Sequence, residues 1–191
     1  MRLHVFGASG SGVTTLGHQL SQRFNLPYYD TDSYHWVPTY PPFTIKRPAE
    51  ERHMWLVNDL AKQDSWILGG TVYNWSNYYQ SAFDVAVYLW VPPAIRLQRL
   101  HEREKARGQL TNAAASLAQS KFFLDWTAHY DEGNLLGRSR TKHMEWISKL
   151  TCPVIRIEGD TTTVERLQLI EDAISKAQRA AQHSLASTAH P

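Results

Sequence analysis

Gly7, Gly12 and Thr14 lie within GASGSGVTT at residues 7–15, spaced as in G-x-x-x-x-G-K-[ST], a loop whose amides wrap nucleotide phosphates; Val13 stands at the lysine position. The chemistry offered by this spacing comes mainly from the main chain. Glycines permit a tight turn and close approach of N–H groups to an anion, and a helix start adds partial positive charge. Gly7, Ala8, Ser9, Gly10, Ser11, Gly12, Val13, Thr14 and Thr15 are therefore candidate donor-phosphate residues, and the Thr14 hydroxyl is a candidate contact to Mg²⁺. Val13 removes only the ammonium that reaches the β and γ phosphates. A hydrogen bond to a charged group contributes about 1.5 to 3 kcal/mol, so an uncompensated loss weakens binding about 10 to 100-fold. Phosphoryl transfer suffers more than binding, because it depends on positioned positive charge. A purely structural strand-to-helix turn is the competing reading.

Replacement charge is available further along. Arg96, Arg99, Arg103 and Arg107 recur at separations that put them on one helical face, where they repel one another unless an anion lies across them. A solvated face partnered by Glu102 and Glu104 is the alternative. Arg138 and Arg140 in GRSRTKH form a second basic pair between helical segments, placed to close over the same anion.

Asp30 and Asp32 in DTD follow an apolar run, and the carboxyl ends of strands are where such sheets bind ligands. Either carboxylate can order metal-bound water or take a proton from a substrate hydroxyl, and either can simply cap a turn; Asp32 is the preferred choice. SYHWVPTYPPFTIKRP reads as an acceptor flap over about residues 33–48. Tyr34, Trp36, Tyr40 and Phe43 stack on a ring or pack the loop down, with Lys46 and Arg47 available for charge. Gly69 and Gly70 end a strand where missing side chains admit a ligand or backbone. His101, His129 and His143 are far apart and no zinc-ligand spacing occurs.

Regular elements must hold these residues. LHVF (3–6), LPYY (26–29), SWILGG (65–70), DVAVYLWV (84–91) and CPVIRIEG (152–159) predict five strands. Leu16, Leu20 and Phe24 predict a first helix, and others are expected over 48–63, 93–107, 112–130 and 139–149. Thr162 and Glu165 form a capping box that opens the last. Strands separated by helices predict a mainly parallel sheet covered on both faces, in one domain over 1–177. From Gln178 the chain turns small and polar, so 178–191 is expected to be a disordered tail.

Composition narrows the class. A 42% hydrophobic content over 191 residues supplies one core, and a formal charge of +2 is too small to argue for nucleic acid or membrane partners. The one cysteine, Cys152, makes no internal disulfide, and no apolar run approaches a membrane span, so a cytoplasmic protein is expected.

With the loop, DTD, the glycine pair, VYLWVPPAIRLQRLHERE and RSR in this order, the chain resembles adenylate-kinase-like P-loop kinases over about residues 1–174. More closely, it resembles the bacterial topology-modulation proteins. The resemblance implies a three-layer α/β P-loop NTPase fold with a helical lid over about 104–140. Arg99 and Arg103 match the family's ATP-holding R-L-x-x-R, Arg138 and Arg140 its lid arginines, and Gly159 and Asp160 its base pocket.

The chain departs from the family at Val13, in lacking an arginine soon after the second strand (Arg47 being too distant to equate), and in a cysteine-free lid from Arg107 to Asn134. D-x-D also resembles shikimate kinase, which implies a hydroxylated metabolite as acceptor. The implied activity is an ATP- and Mg²⁺-dependent phosphotransferase on a nucleoside monophosphate or other small molecule. The alternative is a catalytically degenerate nucleotide-binding regulator affecting DNA topology, although no recognised DNA-reading motif is present.

Overall fold

Alternation along β1 (Arg2–Gly7) sends Leu3 and Val5 to one side of a sheet and His4 and Phe6 to the other, and all four are buried. A strand buried on both faces needs helices on both, the condition met by parallel strands joined through helical crossovers. The computed structural model describes residues 1–40, 42–110, 114–133 and 138–188, the side chains of 108–110, 114–119 and 181–188 excepted. In it, β1 joins β2 (Tyr28–Asp30), β3 (Trp66–Gly69), β4 (Val85–Trp90) and β5 (Val154–Glu158) in one parallel sheet, ordered β2-β3-β1-β4-β5. The fold is the expected α/β P-loop type.

One face carries α1 (Val13–Phe24) and α7 (Thr163–Thr188), whose Leu16, Leu20 and Ile170 pack on Leu3, Val5, Ile67, Val87 and Leu89. The other carries α3 (Ala49–Leu60) and α6 (Arg140–Lys149), with Leu56, Leu60 and Trp146 among the residues packed with Phe6, Leu68 and Tyr88. A short α2 (Thr31–His35) follows β2, while the end of α4 (Pro93–Leu110), α5 (Ala114–Ala128) and a 3-10 turn, His129–Glu132, fall within the segment read as a lid, about 104–140. Residues 111–113 and 134–137 of that lid lie outside the described residues.

Helix α7 differs from expectation by running to Thr188 through the segment read as a disordered tail. Alanine, glutamine, arginine and leucine are good helix formers, and an established helix extends into solvent without an apolar stripe. Residues 189–191 are outside the described residues. The capping box is present: Thr162 N donates to Glu165 Oε2 at 2.7 Å, and Glu165 N donates to Thr162 Oγ1 at 3.2 Å. Among the described residues no helix is long and apolar enough to cross a membrane.

β1 lies between β3 and β4, so the chain leaving its carboxyl end enters the crevice where the strand order reverses. Tyr28 locks α1 against this edge. A Cβ at Gly17 would lie 2.1 Å from the Tyr28 ring, and one at Gly69 would lie 2.1 Å from its hydroxyl. Gly17→Ala should gain at most about 1 kcal/mol of helix propensity but lose about 1 to 3 to overpacking. We expect a lower urea midpoint for this variant, contrary to the usual effect of alanine in a helix.

Candidate functional site

The glycine loop turns at two left-handed residues, Gly10 (φ 80°) and Gly12 (φ 92°), and is closed by Ser11 N donating to Ala8 O at 3.1 Å. Its outer side is gripped by arginine. Arg96 Nη1 donates to Ser9 O at 3.4 Å, Arg99 Nη1 to Gly10 O at 3.5 Å, and Arg166 Nη1 to Ser11 O at 2.7 Å. A trans peptide points its N–H opposite its C=O, so each guanidinium leaves the following amide turned away from itself. Val13 packs into the apolar cluster shared by α1 and α7.

Arg96, Arg99, Arg103 and Arg107 do follow one another along α4, yet their roles diverge. Arg96 is fully buried, bonded also to Val91 O at 3.1 Å and paired with Asp131 at 2.5 Å. It therefore braces the loop from behind, which corrects its reading as a ligand contact on an open face. Arg99 pairs with Asp160 at 2.5 Å, joining the loop to the segment after β5 where Gly159 stands with open space at its Cβ position. Arg103 and Arg107 both reach the buried Glu104.

Sequence reasoning missed Arg166. Its only signal was its place in the first turn of a helix whose start the capping box fixed.

At the end of β2, Asp30 receives hydrogen bonds from Thr14 Oγ1 and Tyr28 Oη, both at 3.1 Å, and from Asp32 N at 2.9 Å. Asp30, passed over in favour of its neighbour, is thus the carboxylate joined to the loop hydroxyl. Asp32 stands in the first turn of α2. Crowding by protein raises its carboxyl above the ordinary range, Arg138 and Arg103 pulling the other way and Asp30 adding to the rise. Asp32 thus stands within electrostatic reach of Arg138 and Arg103. Arg140 lies over the Trp90 ring, 5.0 Å from its centroid.

The flap is a short antiparallel pairing in which Trp36 bridges Lys46, with Tyr40 exposed near its tip. Two of its residues serve structure where ligand contact was expected. Tyr34 is buried and donates to Asp59 Oδ2 at 2.7 Å. Arg47, 8% exposed, donates to Tyr34 O at 3.0 Å and lies on Trp55.

The bareness of Gly69 and Gly70 likewise serves packing. Tyr28 fills the first space, and Thr31 Oγ1 lies 1.8 Å from where a Cβ on Gly70 would sit.

Beside Trp36 stands Arg52 of α3, a second residue not anticipated, since in sequence it looks like an ordinary charge in a helix's first turn. Its Nη1 lies 3.0 Å from His35 Nδ1, its guanidinium lies over Trp75, and its buried Nε has no partner. No carboxylate lies within 4 Å of Arg52 or Arg138 among the described residues. Burial, with smaller contributions from Arg52, Lys46 and Arg138, lowers the pKa of His35 to about 4.

No family model matches the chain. The uncharacterized protein YqaC of Bacillus subtilis (strain 168) is 41% identical over 175 residues, 91% of this chain and 97% of the relative. Among solved structures, deoxyadenosine kinase from M. mycoides with bound dATP is similar at TM-score 0.52 and 11% identity, over 92% of this chain and 99% of that one. Shikimate kinase from Aquifex aeolicus is similar at TM-score 0.51 and 18% identity, over 95% and 99%. Likeness at these identities shows the fold.

Beneath the cleft, Tyr88 Oη meets Tyr130 Oη at 3.1 Å, Tyr130 Oη meets His143 Nδ1 at 2.6 Å, and His143 Nε2 meets Thr71 Oγ1 at 3.2 Å. This chain ties the 3-10 turn after α5 to β4 and α6. Burial lowers the pKa of His143 to about 3, with Arg138 and His4 adding to the fall, and burial lowers that of His4 to about 3. Both must stay neutral in the fold, whereas the unfolded chain protonates them near pH 6.5. Their contribution is whole above that pH and is lost as pH falls from about 6.5 toward 3, by about 1.4 kcal/mol per unit for each histidine. His35, lowered to about 4, adds to the slope down to that pH, so in urea titrations at stepped pH we expect His4→Leu to remove about a third of it.

Proposed function

The chain belongs to the family of Bacillus subtilis YqaC, and on that footing we propose that it is an ATP-dependent phosphotransferase whose acceptor is a small hydroxylated molecule bearing an anionic group. One observation carries this reading: beside the phosphate-type loop, whose Thr14 is bonded to Asp30, stands Asp32 under the influence of Arg138 and Arg103, and neither Arg138 nor Arg52 has a carboxylate within 4 Å among the described residues. The fold shared with a deoxyadenosine kinase and a shikimate kinase supports the reaction class.

The loop suits a multiply charged, oxygen-rich group. A side chain at Gly7 would strike Leu89 O at 2.4 Å, one at Gly12 would strike Arg166 at 2.8 Å, and Ser11 Oγ is buried with no partner. Gly7 to Thr15 would hold the donor phosphates, Thr14 and Asp30 the metal, and Gly159 and Asp160 would border the base. ATP with Mg²⁺, when bound, supplies an electrophilic terminal phosphoryl group and offsets its charge.

Asp32 positions the acceptor hydroxyl and takes its proton, for which its raised affinity for protons suits it. Arg52 and Arg138 hold the acceptor's anion, and Arg99, Arg103 and Arg140 are further cations along the transfer path. Trp36 and the flap cover the acceptor and exclude water. The flap is already linked to the lid side, since Arg107 lies over Phe43 at 5.2 Å.

A second reading, a nucleotide-binding regulator of the topology-modulation type without turnover, is favoured by Val13. The two separate in one assay. Protein, ATP, Mg²⁺ and a panel of nucleoside monophosphates and hydroxylated carboxylates should release ADP above a no-enzyme control with one acceptor class. Nucleotide binding without ADP release from any acceptor would leave the regulator.

With the active acceptor, Arg52→Gln should raise its KM about tenfold or more while leaving the KM for ATP nearly unchanged. Asp32→Asn should lower kcat by about a hundredfold or more. Because Asp32 must be deprotonated to act and its pKa is raised, the acid limb of the wild-type kcat profile should lie above the usual carboxylate range, and D32N should abolish it.

A further inference from the structure

Arg166 differs from the other two arginines on the loop. Arg96 has Asp131 and Arg99 has Asp160, whereas Arg166 has no carboxylate within 4 Å among the described residues, although it is only 4% exposed. Its Nε donates to Thr161 Oγ1 at 2.9 Å and its Nη1 to Ser11 O at 2.7 Å. Of the three guanidiniums on the loop carbonyls, Arg166 is thus the one without a paired carboxylate among the described residues, while a further acid, Asp30, meets the loop at the Thr14 hydroxyl. Arg166 lies at Ser11 and Gly12, the residues directly before Val13.

Resting on the nucleotide-binding reading above, we propose that Arg166 is the positioning residue that replaces the loop lysine, acting on bound phosphates through the Ser11–Gly12 peptide. A charged donor on the Ser11 carbonyl is about twice as strong as a neutral one and polarises the peptide it holds, making the Gly12 N–H a better donor. The same contact fixes that amide's direction before any anion arrives. An extended ammonium from position 13 has to be ordered on binding; the buried guanidinium is ordered beforehand by Thr161 and Ser11. Val13 fits this arrangement, because its apolar side chain completes the packing between α1 and α7 from which Arg166 emerges.

The proposal predicts that a lysine at 13 and an arginine at 166 are substitutes. ATP with Mg²⁺ is titrated calorimetrically into wild type, Arg166→Met, Arg166→Lys, Val13→Lys and the double variant V13K/R166M, each first checked for folding by thermal melt. We expect R166M to bind about 10 to 100-fold more weakly, R166K to fall between it and wild type, and V13K to change wild-type affinity little. V13K should recover most of the loss in the R166M background. A merely structural arginine gives no such rescue.

If R166M does not fold, V13K is compared in the wild-type and R166K backgrounds, with the same expectation of recovery confined to the latter. Wild-type affinity in a folded R166M, or an equal gain from V13K in both backgrounds, overturns this inference and leaves the phosphotransferase reading standing. Absence of ATP binding by the wild type overturns both.

Discussion

The grip of arginine side chains on consecutive carbonyls of the glycine loop is the interaction on which the rest of the site depends. Ser9, Gly10 and Ser11 each present an oxygen to a different guanidinium, from α4 in two cases and α7 in the third. Left alone, a loop with two left-handed glycines samples many conformations, and its amides have no fixed target. Bound to groups anchored in two helices, it has one shape. The cost is the burial of Arg96 and Arg166, and the structure offsets much of it with Asp131 and with the carbonyls of Val91 and Ser11.

The same brace organises the two ends of the cleft. Asp131 takes Arg96 with one oxygen and the Trp90 indole N–H, at 2.9 Å, with the other, so the end of the lid segment, the last residue of β4 and the loop share one hydrogen-bonded cluster. On the far side Asp30 ties Thr14 to the end of β2 and orients the turn that carries Asp32. Charge is thereby divided. Around the loop, cations are largely neutralised by built-in acids, while Arg52 and Arg138 have no carboxylate within 4 Å among the described residues.

Local patterns in the sequence carried the fold and the position of the glycine loop within it. Apolar runs, the glycine spacing and the T-x-x-E box report contacts within a few residues, and each strand and major helix appears near its expected position. Burial of charge is a long-range property, and there the reading failed. Arg96 and Arg99 are three residues apart on one face, yet one is fully enclosed and the other open, because Asp131 and Tyr130 cover the first from 35 and 34 positions away. Arg47 looked like an available charge until Trp55 and the Tyr34 carbonyl enclosed it. Arg52 and Arg166 looked ordinary because what marks them is the lack of a carboxylate within 4 Å among the described residues, which only a folded chain displays. Gly69 and Gly70 were read as room for a ligand or backbone, whereas the side chains of Tyr28 and Thr31 take that space.

A crystal structure grown with a non-hydrolysable ATP analogue and Mg²⁺ tests the central claim most directly. The account predicts phosphate oxygens within hydrogen-bonding distance of amides in the Gly10–Thr15 segment, Val13 still packed between α1 and α7, and the Arg166 guanidinium still on Ser11 O. Phosphates bound elsewhere, or a loop whose carbonyls have left the three arginines to make room for them, would contradict it.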